Sequence, residues 1–100
     1  MSLRIDMSLA NEELYTGCEI ETVAGKSILK TPLSVMVEFL VQNIKGIAEK
    51  TPLNQRQVLV LTGQAEVWAY LVVYDTIRYM FKRVQYDDGK SGPLLLSAHG

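Results

Sequence analysis

Few side chains of this 100-residue sequence can do chemistry, and most of those that can lie in its second half. Leu61-Thr62-Gly63-Gln64-Ala65-Glu66-Val67-Trp68 reads as the end of a strand, a turn and the start of a helix. Such a turn aims several backbone N–H groups at one point, where a phosphate can be held. Gly63 lets the backbone come close, Thr62 and Gln64 and the amide of Ala65 offer donors, and Glu66 would cap the helix or compete with an anion. Any strand-to-helix crossover has a turn of this kind, so the spacing is equally that of an ordinary connection. Asp87 and Asp88, adjacent carboxylates, could take a hard divalent ion or serve in acid–base catalysis. With Gly89-Lys90-Ser91-Gly92 behind them they also have the composition of a plain turn. Lys82 and Arg83 make a modest basic spot near by in sequence, suited to an anion or simply to water. His99 is the one histidine, either a proton carrier or a frayed terminal side chain.

Composition excludes more than it assigns. A single cysteine, Cys18, rules out an internal disulfide framework and any multi-cysteine zinc site. One histidine leaves no His–His pair for a metal or a relay, and the residues by themselves imply no cofactor. A net charge of -1 excludes a generic basic binder of double-stranded DNA held by counterion release. The charge is uneven: residues 1–44 carry three basic and six acidic groups, residues 45–90 seven basic and five acidic. An anionic ligand would more naturally meet the second half. The longest uncharged apolar run, Val67 to Tyr74, is eight residues, against the ~20 a membrane helix needs. No secretory signal or lipidation motif is present, so a cytoplasmic protein is expected. There is no P-loop, dinucleotide-binding glycine fingerprint, His-Glu-x-x-His or Gly-x-Ser-x-Gly.

These residues need elements to position them. Length and composition fit a single domain over 1–100 with one core. Leu3, Ile5, Met7 and Leu9 alternate with Arg4, Asp6 and Ser8, which predicts a strand, and Cys18 to Val23 predicts a second that pairs with it as an antiparallel hairpin. Thr31-Pro32 predicts a capped helix start, apolar spacing carries that helix over 32–50, and Thr51-Pro52 ends it. Val58 to Thr62 predicts a buried strand, Glu66 to Met80 a second helix, Lys82 to Tyr86 a strand, 87–92 a turn and Pro93 to Ala98 a final strand. The predicted class is α+β, an α/β sandwich, in the order strand, strand, helix, strand, helix, strand, strand. Strand 58–62, helix 66–80 and strand 82–86 would make one right-handed parallel crossover in a mixed sheet. Helix 66–80 is apolar on every side, which predicts a homodimer through that helix.

The second half also resembles a known family. Val58-Leu59-Val60-Leu61-Thr62-Gly63-Gln64-Ala65-Glu66-Val67-Trp68, a helix, a strand ending Tyr86-Asp87 and a last strand reaching Ser97-Ala98-His99 are similar to a small CRISPR-associated accessory family of type III systems. That family shows an apolar strand, Ser-Gly-Arg-Gly-Pro-Ile-Trp, a helix, a strand closing on an aromatic and Asp, and a strand reaching Ser-His. Its members are dimeric α/β proteins that bind or degrade cyclic oligoadenylate messengers, some with manganese. The resemblance covers residues 58–99. Gly63, Trp68 and Asp87 match, and His99 matches with one alanine inserted. Gln64-Ala65-Glu66 stands where the family has Arg-Gly-Pro, and the family's helix histidines have no counterpart among Tyr70, Tyr74 and Asp75. The resemblance implies antiviral defence by binding a cyclic RNA, and possible ring-nuclease cleavage by attack of the ring's own 2′-hydroxyl. Phosphates would then lie on the amides of Gly63 to Ala65, with Lys82 or Arg83 near, and Asp87 or His99 would position or shuttle a proton. The alternative is a non-catalytic, dimeric interaction module.

Overall fold

In the computed structural model, which describes residues 2–98, the first strand β1 (Ser2–Asp6) is shorter than the alternation suggests. Asp6 ends it: its carboxylate accepts from the Ser8 amide at 2.9 Å and from the Ser8 hydroxyl at 3.0 Å, which turns the chain. Met7 is then buried beyond the strand, and Tyr15 donates its phenol to the Met7 carbonyl at 2.6 Å.

The expected hairpin between the first two strands does not form. β1 instead pairs in parallel with β4 (Val58–Thr62), and β2 (Ile20–Val23) pairs antiparallel with β3 (Lys26–Leu29) in a separate two-stranded sheet. The turn between β2 and β3 is Ala24-Gly25, both at positive φ (52° and 79°), the geometry that suits the twist of a two-residue hairpin. Cys18 lies before β2 rather than in it, half-buried against the core.

α1 (Leu33–Lys50) buries Met36, Leu40, Ile44 and Ala48, one stripe at helical spacing. Pro32 stands outside the helix, at φ -56° and ψ 143°. Thr31 does not cap it; its hydroxyl accepts from the Glu19 amide at 2.6 Å and so ties the hairpin to the helix entry. At the other end Thr51 is extended, as a residue before proline must be. α2 (Val67–Ile77) buries Ala69, Val73 and Ile77 and runs into a 3-10 turn at Arg78–Met80, close to the expected 66–80.

β4, β5 (Arg83–Asp87) and β6 (Pro93–Ala98) complete the main sheet in the order β1-β4-β5-β6, with β4 and β5 parallel and β6 antiparallel. The mixed sheet and the α+β class are as expected. There are two parallel connections rather than one, because the whole segment from β2 to α1 joins β1 to β4. Ile5, Leu59, Leu61 and Val84 point to one face, where they form the core with both helices. Arg4, Val60 and Gln85, then Asp6, Thr62 and Asp87, share the opposite face in two rows.

Candidate functional site

Three parallel strands end together. The register sets Asp6 beside Thr62 and Thr62 beside Asp87, so the carboxyl ends of β1, β4 and β5 form one edge, the usual place for ligands in open α/β sheets. The ends are clipped to one another: the Thr62 hydroxyl donates to the Asp87 carbonyl at 2.7 Å, and the Met7 amide donates to the Thr62 carbonyl at 2.7 Å. Thr62 therefore holds the edge together rather than offering its hydroxyl to a ligand.

Gly63 follows at φ +94°, and a Cβ there would fall on Asp6 Oδ1 and within 3.1–3.2 Å of the Ser8 and Met7 amides. Only glycine allows this turn. Its carbonyl accepts from the Tyr70 phenol, one turn into α2, which fixes the turn against the helix. Tyr70 in turn meets Tyr86 edge-on, rings 5.5 Å apart and 85° between planes. Burial, with Tyr86 and Asp6 beside it, pushes the Tyr70 phenol up to about 12.

Gln64 and Ala65 leave this turn and line a groove of about 590 Å³ between the entries to α1 and α2 and the hairpin. Trp68, Met36, Ile28 and Tyr15 supply its apolar walls, and Gln64, Glu66 and Ser27 its polar ones. Glu66 precedes α2 and makes no capping hydrogen bond, so its carboxylate does not occupy the helix end.

Asp87 is held as an ion. Arg4 donates to its Oδ2 at 2.6 Å and the Gly89 amide to its Oδ1 at 2.8 Å; the Arg4 bond first, then that amide, keep this carboxyl below its ordinary value. To reach β5 from β1, the Arg4 side chain crosses β4, and it remains 55% exposed against 15% for Asp87. A guanidinium has five donors, so Arg4 keeps N–H groups for a second anion. Asp88 is occupied in the turn, accepting from the Lys90 and Ser91 amides at 2.8 Å each, which lower its pKa.

Thr62, Gly63, Gln64, Ala65 and Asp87 are thus brought to one edge. Lys82 and Arg83 are not: Arg83 pairs with Val58 at the amino ends of the strands. Four residues of strand, roughly 13 Å, separate Arg83 from Asp87. Lys82 instead borders a shallow hollow of about 230 Å³ with Leu53, Arg56 and Tyr79 at that opposite end. His99 lies outside the described residues; Ala98 before it pairs with Arg83.

The cation at the carboxyl edge is Arg4, which the sequence argument did not single out, and the same holds for Asp6 and Tyr70 as site residues. Alternation did place Arg4 and Asp6 on one face of a strand. A parallel partner for that strand, which the long intervening helix permits, would have carried them to the Gly63 turn.

Among the described residues no three His, Cys, Asp or Glu side chains gather as a metal ion requires. Asp87, the carboxylate that the resemblance assigns, is taken by Arg4. The described residues therefore do not fit a manganese site, and no step is routed through one. Among them, too, no helix is long and apolar enough to cross a membrane. Comparison with protein-family models, with curated proteins and with solved structures finds no match for this chain.

Proposed function

We propose that this chain is a cytoplasmic, CRISPR-associated accessory protein that binds a cyclic oligoadenylate at the carboxyl edge of its sheet. One observation carries the reading: the Gly63 turn leaves the carboxyl end of β4 next to Asp87, which Arg4 pairs with on the face away from the core, and leads through Gln64 and Ala65 into the groove beside Trp68. Backbone amides of the turn and the free donors of Arg4 would take phosphate oxygens. The apolar groove, with an indole on one wall, suits a base. Arg4 takes the part that the missing cation of the Gln64-Ala65-Glu66 loop leaves open.

Cleavage, where it occurs, would proceed by attack of a ring 2′-hydroxyl on the adjacent phosphorus, expelling the 5′-oxygen and leaving a 2′,3′-cyclic phosphate. The protein would orient the link and stabilise charge on the phosphoryl oxygens through Arg4. Asp87, ionised and anchored by Arg4, is a weak base at neutral pH and serves better to aim the guanidinium. The proposal is therefore binding first, with cleavage as a separate question. Incubating cyclic tetra- and hexa-adenylate with excess protein and separating the products by chromatography decides that question: linear products that vanish in Asp87→Ala or His99→Ala establish a ring nuclease. Binding without products establishes a sensor or sponge.

A second reading, a non-catalytic interaction module, is favoured by exposed Val67 and Leu71 on α2. It becomes the better one if neither ring binds.

A further inference from the structure

The groove and the carboxyl edge of the sheet differ in charge. Among the described residues that line the groove there is one carboxylate, Glu66, and no cation. Arg4, the cation of the edge, lies on the face of the sheet away from the core, whereas the groove reaches down to Tyr15, Met36 and Ala69 on the core side. Among the described residues the side chains of Gln64 and Glu66 make no hydrogen bond or ion pair, and Glu66 does not cap α2. Both therefore line the groove with their hydrogen-bonding capacity unspent: the carboxylate accepts only, and the amide both donates and accepts. Trp68 and Tyr15 supply aromatic walls, and about 590 Å³ is an ordinary size for a small-ligand pocket. A phosphate set there would meet a negative charge and no positive one. A flat base with an N–H on its edge would find a surface to stack on and an acceptor.

We propose that Glu66 makes this groove a site for an adenine base and not for phosphate. Its carboxylate accepts from the exocyclic amino group, Gln64 donates to a ring nitrogen, and the phosphates of the same ligand are turned out towards Arg4 and the Gly63 turn. That the base is adenine rests on the function proposed above. That the groove takes a base rather than a phosphate rests on its own lining. Glu66 thus selects which part of a nucleotide enters. It is exposed, so its effect is modest and falls as salt is added.

Quenching of the fluorescence of Trp68, the one tryptophan, tests it at low salt with three probes. They are adenosine, purine riboside, which lacks the exocyclic amino group, and ribose 5-phosphate, which lacks the base. Wild type should bind adenosine about threefold or more tightly than purine riboside, the size of an exposed charged contact. Ribose 5-phosphate should not displace adenosine. Glu66→Ala should bind adenosine and purine riboside alike, and Glu66→Gln, which keeps an acceptor, should restore part of the preference. No quenching by adenosine, a preference that survives Glu66→Ala, or displacement by ribose 5-phosphate overturns the proposal. Titration with cyclic tetra- and hexa-adenylate separates its failure from that of the proposed function. Rings that bind while adenosine and purine riboside bind alike overturn the role of Glu66 alone. A preference for adenosine that Glu66→Ala removes, with neither ring bound, supports that role and overturns the proposed function.

Discussion

Gly63 is the residue on which the edge turns, and its requirement has two separable parts. Its positive φ costs a side-chain-bearing residue about 1–2 kcal/mol, and a Cβ would also displace the Asp6 carboxylate. Gly25 has a similar φ of +79° with open space around it. Gly63→Ala should therefore lower the melting temperature clearly more than Gly25→Ala, and thermal denaturation of the two variants measures the difference. Asp87 gives a second prediction. Its folded pKa is depressed, so its contribution to stability is complete above the ordinary carboxyl value near 3.8 and is lost as pH falls through the lower folded value. Denaturant midpoints followed into acid should fall less steeply in Asp87→Asn than in the wild type, Asp88 keeping part of the slope. At the alkaline end, Tyr15 and Tyr70 are pushed up to about 12 from 10.0, chiefly by burial. The fold favours their neutral phenols, so stability should drop as pH rises from 10 towards 12. Phenolate absorbance should show phenols that titrate well above 10, and Tyr15→Phe and Tyr70→Phe should each remove one of them. At this scale the places of Gly63, Thr62 and Asp87 at one edge were legible from the strand and turn pattern, but the Thr62 hydroxyl, expected as a ligand donor, is spent on the Asp87 carbonyl. Arg4, Asp6 and Tyr70 were not legible, since their roles depend on which strand lies beside which.

Elements that bury one regular stripe were readable, and those whose partners lie far along the chain were not. The spacing from Leu33 to Ala48 predicts α1 to within a residue, and Pro52 fixes its end. The alternation of β1 is equally plain, yet alternation does not say whether its partner is the next strand or one fifty residues on. The β2–β3 turn carries Ala24 at a position that usually holds Asn, Asp or Gly, which hid the hairpin. Thr31 has the composition of a helix cap but serves the hairpin instead. Thr31→Ala should therefore cost about 0.5–1.5 kcal/mol without loss of helix content. Circular dichroism together with hydrogen exchange at Glu19 separates that outcome from a capping role, in which the first turn of α1 would fray. Asn43 ties the helix to the preceding loop as well, donating to the carbonyls of Leu14 and Thr16 at 2.8 Å each, and so fixing the loop that walls the groove through Tyr15.

Across the whole molecule, charge and topology decide where an anion goes. The sequence places more cations in its second half, but the strands carry Lys82 and Arg83 to the amino ends and leave Arg4, from the acidic half, at the carboxyl edge. Pairing in a parallel sheet thus outweighs proximity in sequence, and the basic spot that looks nearest the Gly63 turn is at the opposite end of the strands. The central claim is that a cyclic oligoadenylate binds at the carboxyl edge through Arg4. Calorimetric titration of cyclic tetra- and hexa-adenylate into wild type, Arg4→Gln and a Lys82→Ala/Arg83→Ala variant tests it most directly. The account predicts that wild type binds one of the rings. It predicts that Arg4→Gln weakens binding by about tenfold or more, as loss of a charged hydrogen bond worth about 1.5–3 kcal/mol requires, and that the double variant binds like wild type. Absence of binding to either ring, or binding that survives Arg4→Gln and is lost in the double variant, would contradict it.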